Sequence, residues 1–482
     1  MAPHKIQPGH MGNLTQDQEA KLRALWAIGF KFVEICEADQ AAYAQKTVED
    51  KYVPPAKKEN GKTSVTRKKY PTLVKELLSI LPTNEHNLEK LARQAVEALD
   101  HWTPDMYHLL IEQMVKHEHP DMLALRFLRT CNFDIIQATI MMGKCIYWRT
   151  MDAVVEDGVL RHGEGWALED ENNGRGHAKT VGTDFLKQMR MGKAFLHGID
   201  KAGRPVTYVR VRLHKASTQC AESLERFIIY QLELARLALQ SPVEHGSVVV
   251  DLSHLRLANI DLSPVKYILK CLPTNYPDAL GLVLIHNSPY GTKLLWKLIS
   301  FMFPKEFASK VRFTRGKKGL QKYIPAEHIM KEYGGDEDWK YEYEEPTEGE
   351  NLHMQDAVTR DRLIAERRIL AQRFEELTNE WIMNAQGSEQ EKSTRAKRDA
   401  AAEALIANFW QLDPYVRARS LYDRQGCFRG AEGVDWHPPK ANEGSIGDDV
   451  LEKIPVASVT TAGEDTLPTG AMSSGVSVYS NV

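Results

Sequence analysis

Residues 246–287 read GSVVVDLSHLRLANIDLSPVKYILKCLPTNYPDALGLVLIHN. The stretch begins with GSVVVDLS, a short continuous apolar run, and ends with a second one, LGLVLIHN. Between them PVKYILKCLP reads as a helix. A strand that is apolar throughout, not alternating, is one covered on both faces, and two such strands joined by a helix imply parallel pairing. This unit decides the class: α/β.

The pattern extends in both directions. Upstream, RPVTYVRVRLH (204–214) alternates apolar with basic residues at strand period, and AESLERFIIYQLELARLALQ (221–240) is a long helix helped by pairs such as Glu222 and Arg226. Downstream, VRFT (311–314) is strand-like, and AEHIMKEYGG (326–335) predicts a closing helix ended by glycines. Residues 185–335 therefore form a mostly parallel central sheet flanked by helices. Residues 1–50 hold an N-terminal helix, with Thr15 and Gln18 as a capping pair and Leu22, Leu25, Trp26, Phe30 and Val33 on one face. A basic linker with a short helix spans 51–84, and a small helical subdomain spans 85–150, its apolar face marked by Ile136, Ile140, Met141, Cys145 and Trp148. The glycine-rich interval 157–183 reads as irregular. A C-terminal helical extension occupies 353–426, with Leu363, Leu370, Phe374, Leu377 and Trp381 on one helix and Leu405, Phe409 and Leu412 on the next; Asp413–Pro414 restarts a third. These faces are expected to dock on the main body, with a coiled-coil dimer over a short seam as the alternative. Residues 440–482 form a small, polar, disordered tail.

Bulk properties narrow the function. A net charge of −3 over 482 residues argues against a general nucleic-acid binder. Six cysteines, at 36, 131, 145, 220, 271 and 427, contain no CxxC, which suits reduced thiols in a cytoplasmic setting. The start, MAPHKIQPGHMGN, lacks the apolar core of a signal peptide, and no run of about 18 apolar residues exists to span a bilayer. Any membrane role is peripheral. Catalytic motifs are missing: NGKTS at 60–64 would need glycine where Ala56 stands to make a P-loop, and no GxSxG, GxGxxG or HExxH occurs. His101, His108, His117 and His119 cluster in sequence, but 108 and 117 are out of helical register. Asp251 at the end of its strand admits two readings, the catalytic carboxylate of an α/β enzyme or, favoured here, a cap or turn residue. The expectation is no enzyme, no metal site and no cofactor.

One segment stands apart. LLWKLISFMF (294–303) is polar only at Lys297 and Ser300, which share a narrow helical stripe with Lys293. Leu294, Leu295, Trp296, Leu298, Ile299, Phe301, Met302 and Phe303 cover the rest of the circumference. Composition leaves two readings, a helix covered on all sides or one at a water–lipid interface. Arg210, Arg212 and His214 likewise admit two: a basic stripe that contacts phosphate, or the wet side of an edge strand.

In order along the chain, CNFDIIQATIMMGKCIYWR (131–149), HGIDKAGRPVTYVRV (197–211), VVVDLSHL (248–255), TNYPDALGLVLIHNSPY (274–290) and KKGLQKYIPAEHIMKEYGG (317–335) resemble the successive signatures of the CRAL-TRIO lipid-binding fold. The likeness covers about residues 100–335 and is greatest to the fungal phosphatidylinositol transfer proteins. LTQDQEAKLRALW (14–26) and DPYVRARSLYDRQG (413–426) resemble the ends of a branch with extended termini. The resemblance implies a hydrophobic cleft floored by the sheet and closed by a mobile gate helix, which corresponds by position to 294–303. It implies a headgroup site in which Lys310 matches the family's lysine and Asp278 stands where the family has glutamate. Elsewhere the chain departs: Cys131–Asn132 replaces a basic pair, Phe307 a threonine, and Gly246, Val248 and Leu272 replace hydroxyl residues tied to phosphatidylcholine. The implied function is binding of a phospholipid, phosphatidylinositol favoured, and its transfer between membranes by a cytoplasmic protein that associates with them peripherally. The alternative is a non-transferring sensor of a phospholipid, sterol precursor or haem that presents its cargo to a protein partner through the C-terminal helices.

Overall fold

The structure, a computed structural model, describes residues 6–49, 104–289, 296, 300 and 305–439. The 51–84 linker, the first part of the 85–150 subdomain and the 440–482 tail lie outside these residues. Helix α1 (Gln16–Glu49) begins where its cap predicts: the Thr15 amide donates to Gln18 Oε1 at 3.0 Å, and the Gln18 amide donates to Thr15 Oγ1 at 3.2 Å. Leu22, Leu25, Trp26 and Val33 are buried. They pack on α2 (Pro104–Leu109), α3 (Pro120–Thr130) and α4 (Ile135–Tyr147), the last capped by Asp134.

The interval 157–183 is not irregular. It contains α5 (Arg161–Asn173) and the start of α6 (Gly176–Arg190), packed on each other. Glycine lowers helix propensity, which is why the composition misleads. Here it serves close packing, because a Cβ on Gly182 would stand 2.6 Å from the Ala167 carbonyl oxygen.

The sheet follows chain order: β1 (Ala194–Ile199), β2 (Pro205–Arg210), β3 (Gly246–Asp251), β4 (Leu280–His286) and β5 (Val311–Thr314). β1 pairs with β2 antiparallel, and the remaining pairs are parallel. Helix α7 (Ala221–Leu237) joins β2 to β3, α8 (Ser263–Asn275) joins β3 to β4, and α9 (Lys305–Lys310) leads into β5. One face of the sheet, carrying Val206, Tyr208, Val249, Leu282 and Leu284, is sealed by Leu320, Ile324, Ile329, Met330 and Tyr333. The expected closing helix at 326–335 is instead two short 3-10 turns, Ala326–His328 and Lys331–Tyr333. Its backbone pairs elsewhere: Lys331 N–H donates to Glu337 O, and Glu337 N–H to Ile329 O. That extended path lets Ile329, Met330 and Tyr333 all reach the sheet.

Helices α10 (Gly316–Leu320), α11 (Ala357–Met383) and α12 (Glu389–Val416) follow, and α11 and α12 pair as a hairpin. Phe374, Trp381 and Leu405 share a core with Trp26 and Phe127, so the extension does dock on the body. Asp413–Pro414 does not restart a helix: α12 runs through Pro414, and the Asp413 carboxylate accepts from Arg417 Nη2 at 2.6 Å instead of capping a new turn. The next helix, α13 (Leu421–Arg424), is capped by Ser420. At the centre of the docking surface, buried Arg398 pairs with Asp121, which also accepts from Trp26 Nε1 at 2.8 Å.

Removing one partner of a buried ion pair leaves an uncompensated charge, so Arg398→Met is expected to cost about 3–5 kcal/mol in urea unfolding followed by tryptophan fluorescence. Burial opposes ionisation of Asp121, but Arg398 outweighs it and holds the pKa down at about 2. The unfolded value is near 3.9 and lies above this, so the pair's stabilisation is full above that pH. It drains away as pH falls through 4 towards 2, and an acid titration of the same fluorescence checks this.

Candidate functional site

Alternation along parallel strands sends successive side chains to opposite faces. Opposite the sealed face, register aligns Val209, Val250, Ile285 and Phe313 in one row across β2–β5, and Thr207, Val248, Val283 and Val311 in the next. Val283 and Val311 are buried, but Thr207, Val209, Val248, Val250, Ile285 and Phe313 stay half-buried. Helices α6 and α7 cover this face over β1 and β2, through Phe185, Leu186, Phe227 and Tyr230. The half-buried positions on this face run from β2 to β5, with Val283 and Val311 the covered ones. Helix α8 packs against α4 and α7, and its apolar Val265, Tyr267, Ile268, Leu269 and Leu272 are also only half-buried. Central strands of a parallel sheet normally have both faces closed, so a half-buried apolar face makes this the candidate crevice. Gly246 and Val248 lie on this face, and with Leu272 on α8 they offer no hydroxyl. Trp296 is helical and half-buried, its ring centroid 6.3 Å from that of Phe313 at 70°. The other residues assigned to the gate helix (Leu294, Leu295, Leu298, Ile299, Phe301, Met302 and Phe303) lie outside the described residues.

A charged cluster sits at the amino-terminal ends of the parallel strands. Glu244 and His245 immediately precede β3, Asp278 precedes β4 and Lys310 precedes β5. Asp278 adopts φ of 49°, a left-handed conformation that aspartate tolerates better than most residues. Its carboxylate is 3.2 Å from Lys310 Nζ, 2.7 Å from Arg129 Nε and 3.1 Å from His245 Nε2. Arg129 also donates to Glu244 Oε2 at 2.6 Å and to the Gly9 carbonyl at 3.2 Å. The His10 ring meets that of His245 edge-on at 5.4 Å. Burial works against charge on Asp278, yet His245, Arg129 and Lys310 together hold its pKa well below the usual carboxylate range. The two sequence-matched residues, Lys310 and Asp278, are thus direct neighbours.

The family model for the CRAL/TRIO domain matches residues 189–335. A CRAL-TRIO domain-containing protein of Schizosaccharomyces pombe is 33% identical over 431 residues, covering 87% of this chain and 92% of that protein. The phosphatidylinositol transfer protein CSR1 of Eremothecium gossypii is 31% identical over 447 residues, covering 88% and 98%. This chain belongs to the CRAL-TRIO family. The CRAL-TRIO proteins are a lipid-binding and transfer family, and the likeness here runs beyond the matched domain into the terminal helices. Among the described residues no helix is long and apolar enough to cross a membrane.

The basic residues of the 204–214 segment lie elsewhere in this CRAL-TRIO fold. β2 ends at Arg210, a 3-10 turn takes Val211–Leu213, and β2 lies between β1 and β3, so the three basic groups do not line an edge strand. Arg210 pairs with Glu332, Arg212 with Asp251 and Glu332, and His214 Nε2 lies 3.0 Å from Asp261. They gather at the carboxyl-terminal ends of the strands, a strand length (roughly 15–20 Å) from Lys310 and Asp278. Asp251, besides Arg212, accepts from the Ser253 amide at 2.9 Å, a turn role. At 131–132, Cys131 ends α3 and Asn132 takes φ of 52°. The guanidinium that reaches the site comes from Arg129 in the preceding turn of α3. Its only sequence signal is the spacing of Arg126 and Arg129, which puts both on the helix face turned towards Glu244.

Because Arg129 and Asp278 share one buried network, their truncations are expected to be non-additive. A double-mutant cycle of Arg129→Ala and Asp278→Ala should give a coupling energy of roughly 1–3 kcal/mol in denaturant unfolding.

Proposed function

We propose that this protein carries one phospholipid, with phosphatidylinositol the leading ligand, and exchanges it between membranes as a cytoplasmic protein that docks on them peripherally. Its acyl chains lie on the half-covered apolar face of β2–β5, and residues 294–303 form the gate over them. The observation that carries this reading is the row Val209, Val250, Ile285 and Phe313, half-buried in the middle of a sheet whose opposite face is sealed. Trp296 beside Phe313 supports the gate.

The cluster at the strand starts is the headgroup site of the proposal. Arg129, Lys310 and His245 face Asp278, and Arg126 and Arg129 face Glu244. Such a set of donors and acceptors suits a polyol carrying one phosphodiester: Lys310 meets the phosphate, and Asp278 accepts from inositol hydroxyls. Burying two acyl chains gains roughly 20–25 kcal/mol against water at about 0.8 kcal/mol per CH₂. A bilayer offers nearly the same, so exchange is close to neutral and gate opening sets its rate. Presentation of cargo through the C-terminal helices is less favoured, because Phe374, Trp381 and Leu405 are occupied in packing against α1.

Mass spectrometry of lipid extracted from the purified chain is expected to return a phospholipid, phosphatidylinositol most abundant. Val250→Trp fills the open face and should cut lipid loading at least tenfold while circular dichroism stays native. Loading equal to wild type would remove the face from the site.

Lys310→Ala is expected to lower phosphatidylinositol loading with the fold retained, and Trp296→Glu to slow exchange of labelled lipid between vesicles without reducing loading. Unchanged exchange by Trp296→Glu would sink the gate.

A further inference from the structure

A second cluster, away from the crevice, has the composition of a metal centre. His197 on β1 lies with Nε2 2.7 Å from Glu337 Oε1, and His437 Nε2 lies 3.4 Å from the same oxygen. One ligand atom from each of the three falls within 4.8 Å of the other two. Two imidazoles and a carboxylate form a zinc-type donor set, and ligand atoms in a tetrahedral site with bonds near 2.1 Å are about 3.4 Å apart. His437 and Glu337 already have that spacing.

Two further observations point to a ligand. Glu337 Oε2 is buried with no hydrogen-bond partner, on a side chain only 7% exposed. Among the described residues that side chain pairs with the two imidazoles and with no lysine or arginine. The His328 ring stacks parallel to His437 at 6.1 Å between centroids, and its Nδ1 is also buried and unpartnered. Such orphaned polar atoms are uncommon in a folded interior. The His197 ring lies flat on Trp339, at 3.8 Å and 14°, which fixes its plane and leaves its nitrogens in that plane to coordinate. His437 is set by its own turn: its amide donates to Asp435 Oδ1, and the Asp435 amide donates to the Cys427 carbonyl, both at 2.9 Å.

We propose that His197, Glu337 and His437 bind a divalent zinc-class cation, with His328 Nδ1 or water in the fourth position. The ion staples the turn carrying His437 to β1. The other group of suitable composition, His10, His245 and Asp278, is poorly placed for a cation because Arg129 and Lys310 already hold its carboxylate.

The test is calorimetric titration of the chelator-treated full-length chain with Zn²⁺ alone, alongside Co²⁺ absorption spectroscopy. One equivalent per chain is expected, with a tetrahedral Co²⁺ spectrum and a Zn²⁺-dependent rise in Tm. His437→Ala, at a side chain 52% exposed, and the isosteric Glu337→Gln should each weaken binding at least about tenfold and abolish the Tm rise, and His10→Ala should do neither. Wild-type protein that takes up no Zn²⁺, His437→Ala that binds as tightly as wild type, or loss of uptake in His10→Ala instead would each overturn the assignment.

Discussion

A parallel sheet cannot leave its strands half-dressed without a reason, because each face is apolar and water is a poor solvent for it. Here the two faces are treated differently. One is closed by the chain itself, with Tyr208 and Tyr333 stacked at 5.3 Å and Leu320, Ile324, Ile329 and Met330 filling the space around them. On the other, α6 and α7 pack over β1 and β2, and among the described residues one apolar row, Val209, Val250, Ile285 and Phe313, stays half-buried from β2 to β5. The asymmetry makes the open face available for function.

Buried charge provides the rest of the frame. Arg236 joins Glu118 at 2.7 Å, Glu118 joins Arg126 at 2.8 Å, Arg126 reaches Glu244, and Arg129 links Glu244 to Asp278 and hence Lys310. This chain of alternating charges runs from α7 through α3 to the start of β5. Deeper still, fully buried Glu233 accepts from Lys116, Arg149 and Tyr276, each at 2.8 Å. Burial disfavours its charge, and Arg149 and Lys116 overcome that to hold its pKa well below the ordinary value. Such pairs add little net stability compared with apolar packing, but each allows one arrangement of the elements that carry it. Buried Glu164 does the same for the C-terminal segment, accepting from Tyr230, Tyr343 and the Leu421 amide.

Local features of this design were legible in the sequence. Continuous apolar runs at 248–250 and 282–285 marked the central strands, and the Thr15–Gln18 cap marked the start of α1, because each signal is complete within a few residues. Long-range contacts were not. Gly182 looks like a helix breaker until Ala167 is seen against it, and the 326–335 segment is helical by composition but extended by its pairing with Glu337. Pro414 suggested a new helix start, yet Arg417 holds the Asp413 carboxylate inside the old one. In the candidate site Lys310 and Asp278 were visible through family likeness, whereas Arg129, His245 and Glu244 enter only through the packing of α3 on the strand starts. The half-open face was invisible for a related reason: exposure of Val250 depends on what fails to cover it, and sequence patterns report only what is apolar.

The proposed carrier gains its selectivity where the hydrophobic effect is silent. Acyl chains have nearly equal free energy in a bilayer and in an apolar crevice, so they supply retention but no discrimination between lipids. In the proposed carrier, discrimination falls to the strand-start cluster, where desolvated polar groups would have to be re-paired by whichever headgroup arrives. With Arg129 and Lys310 already paired to Asp278 and Glu244, an added phosphomonoester would bring negative charge to a site holding two carboxylates. Hydroxyl groups would satisfy those carboxylates without adding charge. On this physics the same ion network that fixes α3 against the sheet also favours an uncharged polyol headgroup over a polyphosphorylated one.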